Sequence, residues 1–300
     1  MSRRNPKGRD INGIILLDKD TGLSSNAILQ KVKRLFFAKK AGHTGALDPL
    51  ASGILPICLG QATKVAGFLL DDNKRYFVRG KLGETTDTLD CEGEIINTRA
   101  FELSEEQVKE VAFSFQGDIE QIPPMYSALK KDGQPLYKLA RQGIEIERPA
   151  RPVTIFNIDF LDYKDGIFTL EVACSKGTYI RSLIGDIGEK LGCGAHVIEL
   201  RRTGFAHVNI GQTIKFSELE KLAGDDYAQL DAQIFPSEEM LPNIHSVSIN
   251  EQQSIDIRYG RKIKVENQID NLVKIFDENA VFLGIGEIEN NILQPKRLFV

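Results

Sequence analysis

Apolar residues along this chain switch between two spacings, and the switches mark the elements. Asn12 to Leu17 predicts a short buried strand, and the run Ile54-Leu55-Pro56-Ile57-Cys58-Leu59 predicts another. Between them, Ser24-Ser25 precede Ile28, Val32, Leu35 and Phe36 at helical spacing, the pattern of a capped helix with one apolar face. Gln61 to Leu70 reads as a helix and Lys74 to Leu82 as an alternating strand carrying Tyr76, Phe77 and Val78. Ser104, followed by Glu105 and Glu106, caps a helix with Val108, Val111, Ala112 and Phe115 on one side. Val153 to Asp162 and Ile167 to Ser175 read as paired strands. They lead into a helix whose Ile180, Leu183, Ile184, Ile187 and Leu191 face inward, and then into the strand-like His196-Val197-Ile198-Glu199-Leu200-Arg201-Arg202-Thr203-Gly204. Ser217 to Leu241 is helical and acidic in pattern. Beyond Leu241-Pro242-Asn243 come short alternating stretches, Val273 to Phe276 and Val281 to Ile288 among them, which place a small β-rich domain at about 244–300 behind a larger domain, 1–243.

Three stretches resist this periodicity. Gly42 to Gly53 is rich in backbone-bending residues and contains a single carboxylate, Asp48; Pro49 disfavours helical geometry at Asp48. Gly83 to Glu94 is dense in carboxylates. Gln121 to Pro152 holds Lys130, Lys131, Lys138, Arg141, Arg148 and Arg151 with Tyr126 and Tyr137 interleaved, a mixture suited to the phosphates and splayed bases of a folded RNA. Structureless segments of that length inside a compact domain are usually functional or disordered.

Composition is that of an ordinary globular protein of 300 residues with net charge −4, which argues against a uniformly basic nucleic-acid binder. The charge is uneven: residues 1–48 carry ten Lys/Arg against four Asp, whereas 215–300 carry nine against fifteen Asp/Glu. A basic groove on the first part and an acidic appendage would give this asymmetry, as would merely solvated faces. The basic start, Met1 to Arg9, is followed by an apolar stretch interrupted at Asp18 and Lys19, too short for export or for spanning a membrane. Cys58, Cys91, Cys174 and Cys193 form no C-x-x-C pair, so free thiols are expected and a cytoplasmic location with them.

On spacing alone, Asp48-Pro49 reads first as a helix N-cap with proline at the first helical position, in a Gly-rich stretch that is only a turn. The longer stretch GHTGALDPLASGILPICLGQATK, however, resembles the signature of the TruB family of tRNA pseudouridine synthases, in which the Asp of the G-x-L-D-P segment is the nucleophile. Lys74-Arg75-Tyr76 is similar to that family's K-R-Y segment. Thr86-Asp87-Thr88-Leu89-Asp90 and Ser175-Lys176-Gly177-Thr178-Tyr179-Ile180-Arg181-Ser182-Leu183 resemble two more of its motifs, in the same order along residues 9–205. The resemblance implies an α+β fold: a catalytic domain on a mixed, mainly antiparallel sheet with flanking helices, an RNA-gripping insertion at about 121–152, and a small PUA-like C-terminal domain. It further implies isomerisation of uridine-55 in the T-loop of tRNA to pseudouridine, with no cofactor and no metal, by a monomer contacting the T-arm.

Site residues follow from the same motifs. Asp48, Tyr76 and Arg181 are implied as catalytic: Asp48 as nucleophile, Arg181 as its cation, and Tyr76 stacking on the base and taking a proton. His43, Tyr179, Leu200 and Asp90 are implied as substrate-binding or pocket-forming, with Asp90 holding Arg181 from its other side. Lys19, Lys130, Arg141, Arg148, Arg151 and Arg202 are the RNA-binding candidates. A cation at a helix start, as Arg181 would be, needs a carboxylate partner. Two competing readings differ in their requirements: an RNA-folding chaperone has no use for Asp48, Tyr76 and Arg181 together, and a metal-dependent nuclease built on Asp87, Asp90 and Glu92 would lose activity to a chelator.

Overall fold

The computed structural model describes residues 8–70, 72–224, 226–266 and 271–299, so Arg3, Arg4 and Lys7 of the basic start lie outside the described residues. The apolar runs become one sheet. Its strands are β1 (Gly13–Lys19), β2 (Ala41–His43), β3 (Ser52–Leu59), β4 (Lys74–Leu82), β5 (Gly117–Gln121), β6 (Arg151–Lys164), β7 (Ile167–Cys174) and β8 (Ala195–Phe205), with Val208–Asn209 and Ile214–Lys215 as two-residue margins. Across the sheet the order is Ile214–Lys215, β1, β3, β8, β4, β7, β6, β5. The pairing is antiparallel except at β3–β8 and β1 with Ile214–Lys215, which makes the sheet mixed and mainly antiparallel.

β1 and β3 read as continuous apolar runs because both of their faces are covered. Ile15, Leu17, Leu55 and Ile57 point into one core, while Ile14, Leu16, Ile54 and Cys58 point into another. The first core is roofed by α1 (Ser25–Leu35) and α3 (Ile180–Lys190) through Ile28, Val32, Leu183, Ile184 and Ile187, with α2 (Glu105–Phe113) contributing Val108 and Ala112. The Ser24 hydroxyl accepts from the Ala27 N–H, and Ser104 forms a capping box with Gln107, so both caps anticipated from the pattern are made. The second core is closed by Phe205, Met240 and Leu241, together with Ile285 and the partly buried Phe282 and Phe299 of the C-terminal segment. That segment forms its own five-stranded sheet from His245 onward, with a helix at Glu251–Arg258 and a core of Ile257, Val273, Ile275 and Leu293.

Two helical expectations give way to shorter elements. Gln61–Leu70 divides into a 3₁₀ turn, Gly60–Lys64, and a single α turn, Ala66–Leu69; Gly60 sits at φ +55° and the β-branched Thr63 and Val65 disfavour a continuous helix. Among the described residues the stretch to Leu241 forms the helices Phe216–Leu222 and Ala228–Asp231, the first ending before Gly224 and the second before Pro236. Within 121–152 lie a small hairpin, Lys130–Lys131 with Gln134–Pro135, and a short helix, Leu136–Ala140. The hairpin turns on Asp132 and Gly133 at φ +51° and +80°, as a two-residue Asp-Gly loop requires. All four cysteines are free, three buried and Cys91 exposed.

Candidate active site

The Gly-rich stretch is an irregular loop between β2 and β3, not a helix start, and it is pinned on both sides of Asp48. The Lys19 ammonium, at the end of β1, donates to the carbonyls of Ala51 (2.6 Å), Asp20 (3.0 Å), Asp48 (3.2 Å) and Pro49 (3.4 Å). The Ser25 hydroxyl donates to the Leu47 carbonyl (2.9 Å) and accepts from the Leu47 N–H (2.7 Å). Gly53 closes the loop at φ +101°, where a side chain's Cβ would meet the Arg202 carbonyl at 2.2 Å. Backbone held by a buried cation and a buried hydroxyl gives its carboxylate one direction in which to point.

That direction is toward Arg181, the second residue of α3. Arg181 Nε lies 2.8 Å from Asp48 Oδ2, and its Nη1 lies 3.4 Å from Asp90 Oδ2. Nη1 also donates to the Thr88 carbonyl and Nη2 to the Tyr126 carbonyl, each at 2.7 Å. Every edge of the guanidinium is therefore occupied, and two carboxylates offset the helix dipole that disfavours a cation at this position. Asp90 Oδ1 accepts from the Thr88 hydroxyl (2.7 Å) and the Glu92 N–H (3.1 Å), so its carboxylate is held as firmly as the cation it faces. Burial raises the Asp48 carboxyl above the ordinary aspartate value; the Arg181 charge opposes this and the Asp90 charge adds to it. Burial likewise lowers the Lys19 ammonium to about 8, against the pull of Asp48.

Asp48 and Arg181 border a cavity of about 310 Å³ whose walls include Tyr76, Tyr179, Leu200 and Arg202. It lies at the small end of the range for ligand pockets. Tyr76 on β4 stands directly across from Arg202 on β8, and Leu200 across from Val78. Burial raises the Tyr76 phenol above its ordinary value. Tyr179 is the residue before α3; Gln121 fixes it reciprocally, accepting from its N–H (2.7 Å) and donating to its carbonyl (3.0 Å). His43 lies outside the cavity walls on β2, paired with Ile57, and its Nδ1 is buried without a hydrogen-bond partner among the described residues.

Of the six expected RNA-binding cations, four sit where phosphates could reach them. Lys130, Arg141 and Arg151 are exposed on the insertion or at its exit; Arg148 is half-buried and pairs with Glu145 at 3.3 Å. Lys19 and Arg202 are not on the outer surface: each is only 1% exposed, Lys19 consumed by loop carbonyls and Arg202 walling the cavity, where only a nucleotide inside it could reach it. Residues given no role by motif reasoning also shape the site: Ser25 and Gln121, and Thr88 from within a quoted motif. Ser25 was readable only as a helix cap, and Gln121 only as the edge of a loop. Two of the three carboxylates of the metal alternative are otherwise engaged, Asp90 by Arg181 and Asp87 by the Glu94 N–H and the Tyr126 hydroxyl, while Glu92 is exposed. Among the described residues no group of three His, Cys, Asp or Glu is arranged to hold a metal, and no helix is long and apolar enough to cross a membrane.

Three family models match in succession: "TruB family pseudouridylate synthase (N terminal domain)" over 33–180, "tRNA pseudouridylate synthase B C-terminal domain" over 181–242, and "Pseudouridine synthase II TruB, C-terminal" over 246–299. The chain is similar to tRNA pseudouridine synthase B of Mannheimia succiniciproducens, 49% identical over 302 residues covering 99% of each. It is likewise similar to tRNA pseudouridine synthase B of Haemophilus influenzae, 50% identical over 301 residues covering 99% of this chain and 98% of that one. Among solved structures the fold is shared with the archaeal box H/ACA sRNP Nop10-Cbf5 complex, at a TM-score of 0.73 and 23% identity over 96% of this chain and 86% of that one. With three of the family's models matched in succession and half its residues shared along its whole length, the chain belongs to the TruB family and is a tRNA pseudouridine synthase, an isomerase acting on RNA.

Proposed function

We propose that this enzyme converts uridine-55 in the T-loop of tRNA to pseudouridine, with Asp48 as its nucleophile. The observation that carries this reading is the 2.8 Å pair of Asp48 and Arg181 at the edge of a nucleoside-sized cavity walled by Tyr76. The reaction breaks the bond from C1′ to N1, turns the base, joins C1′ to C5 and releases the C5 proton; nothing is oxidised or hydrolysed. A uridine stacked in a folded loop has to leave the stack to enter the cavity, at roughly a few kcal/mol. Tyr76 and Leu200 then sandwich its base, Tyr179 closes the near wall, and His43 contacts the RNA beside the vacancy. Asp48 acts as an anion, and Arg181 favours that form against burial. The Tyr76 oxygen accepts a proton from the sugar or the base.

Residues 1–243 carry the chemistry in this reading, the insertion grips the T-arm, and the acidic module from 244 is an accessory; the enzyme works as a cytoplasmic monomer without cofactor or metal. The test is tritium release from tRNA labelled at C5 of uridine, measured in EDTA. Release is expected from a transcript with uridine at position 55 and is expected to vanish when only that position is cytidine. Binding without release from either transcript would replace the enzyme reading of this site with a chaperone one, and undiminished release from the second would move the target elsewhere.

The insertion's part is separable from the chemistry. Changing Arg141 and Arg148 together to Ala should weaken tRNA binding and lower the slope of log K against log salt by about 1 to 2, as expected for one or two lost phosphate contacts. A titration series between low and moderate salt reads this directly, and a slope equal to wild type takes these two residues off the RNA surface.

A further inference from the structure

Arg202 is the largest fully buried side chain in the molecule among the described residues, and no carboxylate is paired with it there. Its Nε donates to the Ile54 carbonyl at 2.6 Å and its guanidinium lies 5.4 Å from the Phe205 ring centre, while Nη2 is buried with no hydrogen-bond partner among the described residues. A buried guanidinium whose charge is left uncompensated is costly to fold around. Its neighbour Arg201 shows the ordinary arrangement, with Nη2 2.7 Å from Asp18. Arg202 instead points along the same face of the sheet as Tyr76, its direct antiparallel partner, and both border the cavity.

We propose that Arg202 is the positioning residue for Tyr76: its guanidinium donates toward the phenol oxygen and stabilises the phenolate, which forms when the hydroxyl gives its proton to solvent and which then takes a proton from the sugar or base. The inference rests on the reading of Tyr76 as the proton acceptor and adds the group that would make it one. In a dry pocket a phenol is a poor base, because burial favours its neutral form. The groups facing Tyr76 otherwise do nothing to help. Cys174 on β7 is a thiol that burial pushes up to about 11, and Asp48 on its loop is an anion that resists a second negative charge beside it. Arg181 on α3 is committed to Asp48, Asp90 and two carbonyls. Among the effects on Tyr76 the Arg202 charge is the one that favours the ionised phenol against burial. The β3–β8 pairing that seats Arg202 against Gly53 also joins this group to the end of the Asp48 loop. The two halves of the chemistry thus share one strand junction.

The test uses the full-length enzyme with tyrosines labelled at 13Cζ, the Tyr76 signal being assigned as the one missing from Tyr76→Phe. Arg202→Met, and Arg202→Lys as the variant that keeps a cation, are compared with wild type by three readouts: titration of the Tyr76 signal, single-turnover tritium release and tRNA affinity. The expected result for Arg202→Met is a Tyr76 ionisation moved upward by at least about one unit, turnover slowed by about 100-fold or more, and tRNA affinity within about threefold of wild type. Arg202→Lys, which keeps the charge near the phenol without the planar fork, should recover part of both the titration shift and the rate. An unmoved Tyr76 titration in folded Arg202→Met overturns the proposal, whatever happens to the rate. So does a loss of rate matched by an equal loss of tRNA affinity, which would make Arg202 a substrate contact. Full activity in Tyr76→Phe would instead remove Tyr76 as base and the role of Arg202 with it, and this separates failure of the underlying reading from failure of the inference. If Arg202→Met fails to fold, Arg202→Lys decides by the same three readouts.

Discussion

Replacing Asp48 with Asn should abolish single-turnover tritium release, by at least about 10⁴-fold, while tRNA affinity stays within about threefold of wild type. Asn keeps the size and can still accept a hydrogen bond from Arg181, so the loop held by Lys19 and Ser25 is undisturbed. What is lost is the anion. The substitution carries a second signature, in stability. The folded protein holds the Asp48 carboxyl above the ordinary aspartate value of 3.8, because partial desolvation outweighs the Arg181 charge, although 40% of the side chain remains exposed and the effect is correspondingly small. A group raised in this way stabilises fully below its unfolded value, and that contribution is lost as pH rises through the folded value. Asp48→Asn, which never ionises, is therefore expected to melt above wild type at pH 7 and to converge with it as pH falls below 3.8. Thermal melts at several pH values read the difference. A variant that melts lower at neutral pH would show that the ion pair with Arg181 outweighs desolvation; turnover near wild type would remove Asp48 as nucleophile.

Arg181→Met should be damaging in a different manner, losing both the fold's margin and the rate. The side chain is 4% exposed and stands between Asp48 and Asp90, the latter 5% exposed. Removing one partner from a buried ionic cluster costs about 3–5 kcal/mol, because the remaining charges are left buried and unpaired. Here two carboxylates would face each other without the cation. Denaturant unfolding is expected to show a loss of that size, and turnover to fall by about 10³-fold where the variant is still folded. Arg181→Lys should regain part of the stability through its charge and little of the rate. An ammonium cannot serve Asp48, Asp90, Thr88 and Tyr126 in the fixed directions of the guanidinium fork. Equal recovery of both quantities by Lys would mean that charge alone is required at this position.

Much of the framework was legible in the chain because it depends on neighbours in sequence. The caps at Ser24 and Ser104, the strand Lys74–Leu82, the paired strands on either side of Asp165-Gly166 and the helix from Ile180 are each set by residues a few positions apart. The Asp48 loop was marked by its own glycines and proline, and the motif order along residues 9–205 singled out Tyr76, Asp90, Tyr179, Arg181 and Leu200. The helices that apolar spacing implies over 61–70 and 217–241 are cut short because local breakers such as Gly60, Gly224 and Pro236 override that spacing.

What the tertiary structure alone decided is which cations face outward and which are spent inside. Lys19 and Arg202 read in sequence like any basic residues near a nucleic-acid site. Yet Lys19 serves a loop 29 to 32 residues away, and Arg202 reaches the Ile54 carbonyl across a separation of 148. The Arg181 cluster likewise joins groups 93 and 55 residues apart with an aspartate from a third segment. Periodicity reports only which face of its own element a side chain takes. The pairing of β3 with β8 and of β8 with β4 is chosen by the whole sheet's register, and it is this register that sets Arg202 against Tyr76 at the wall of the cavity beside Asp48.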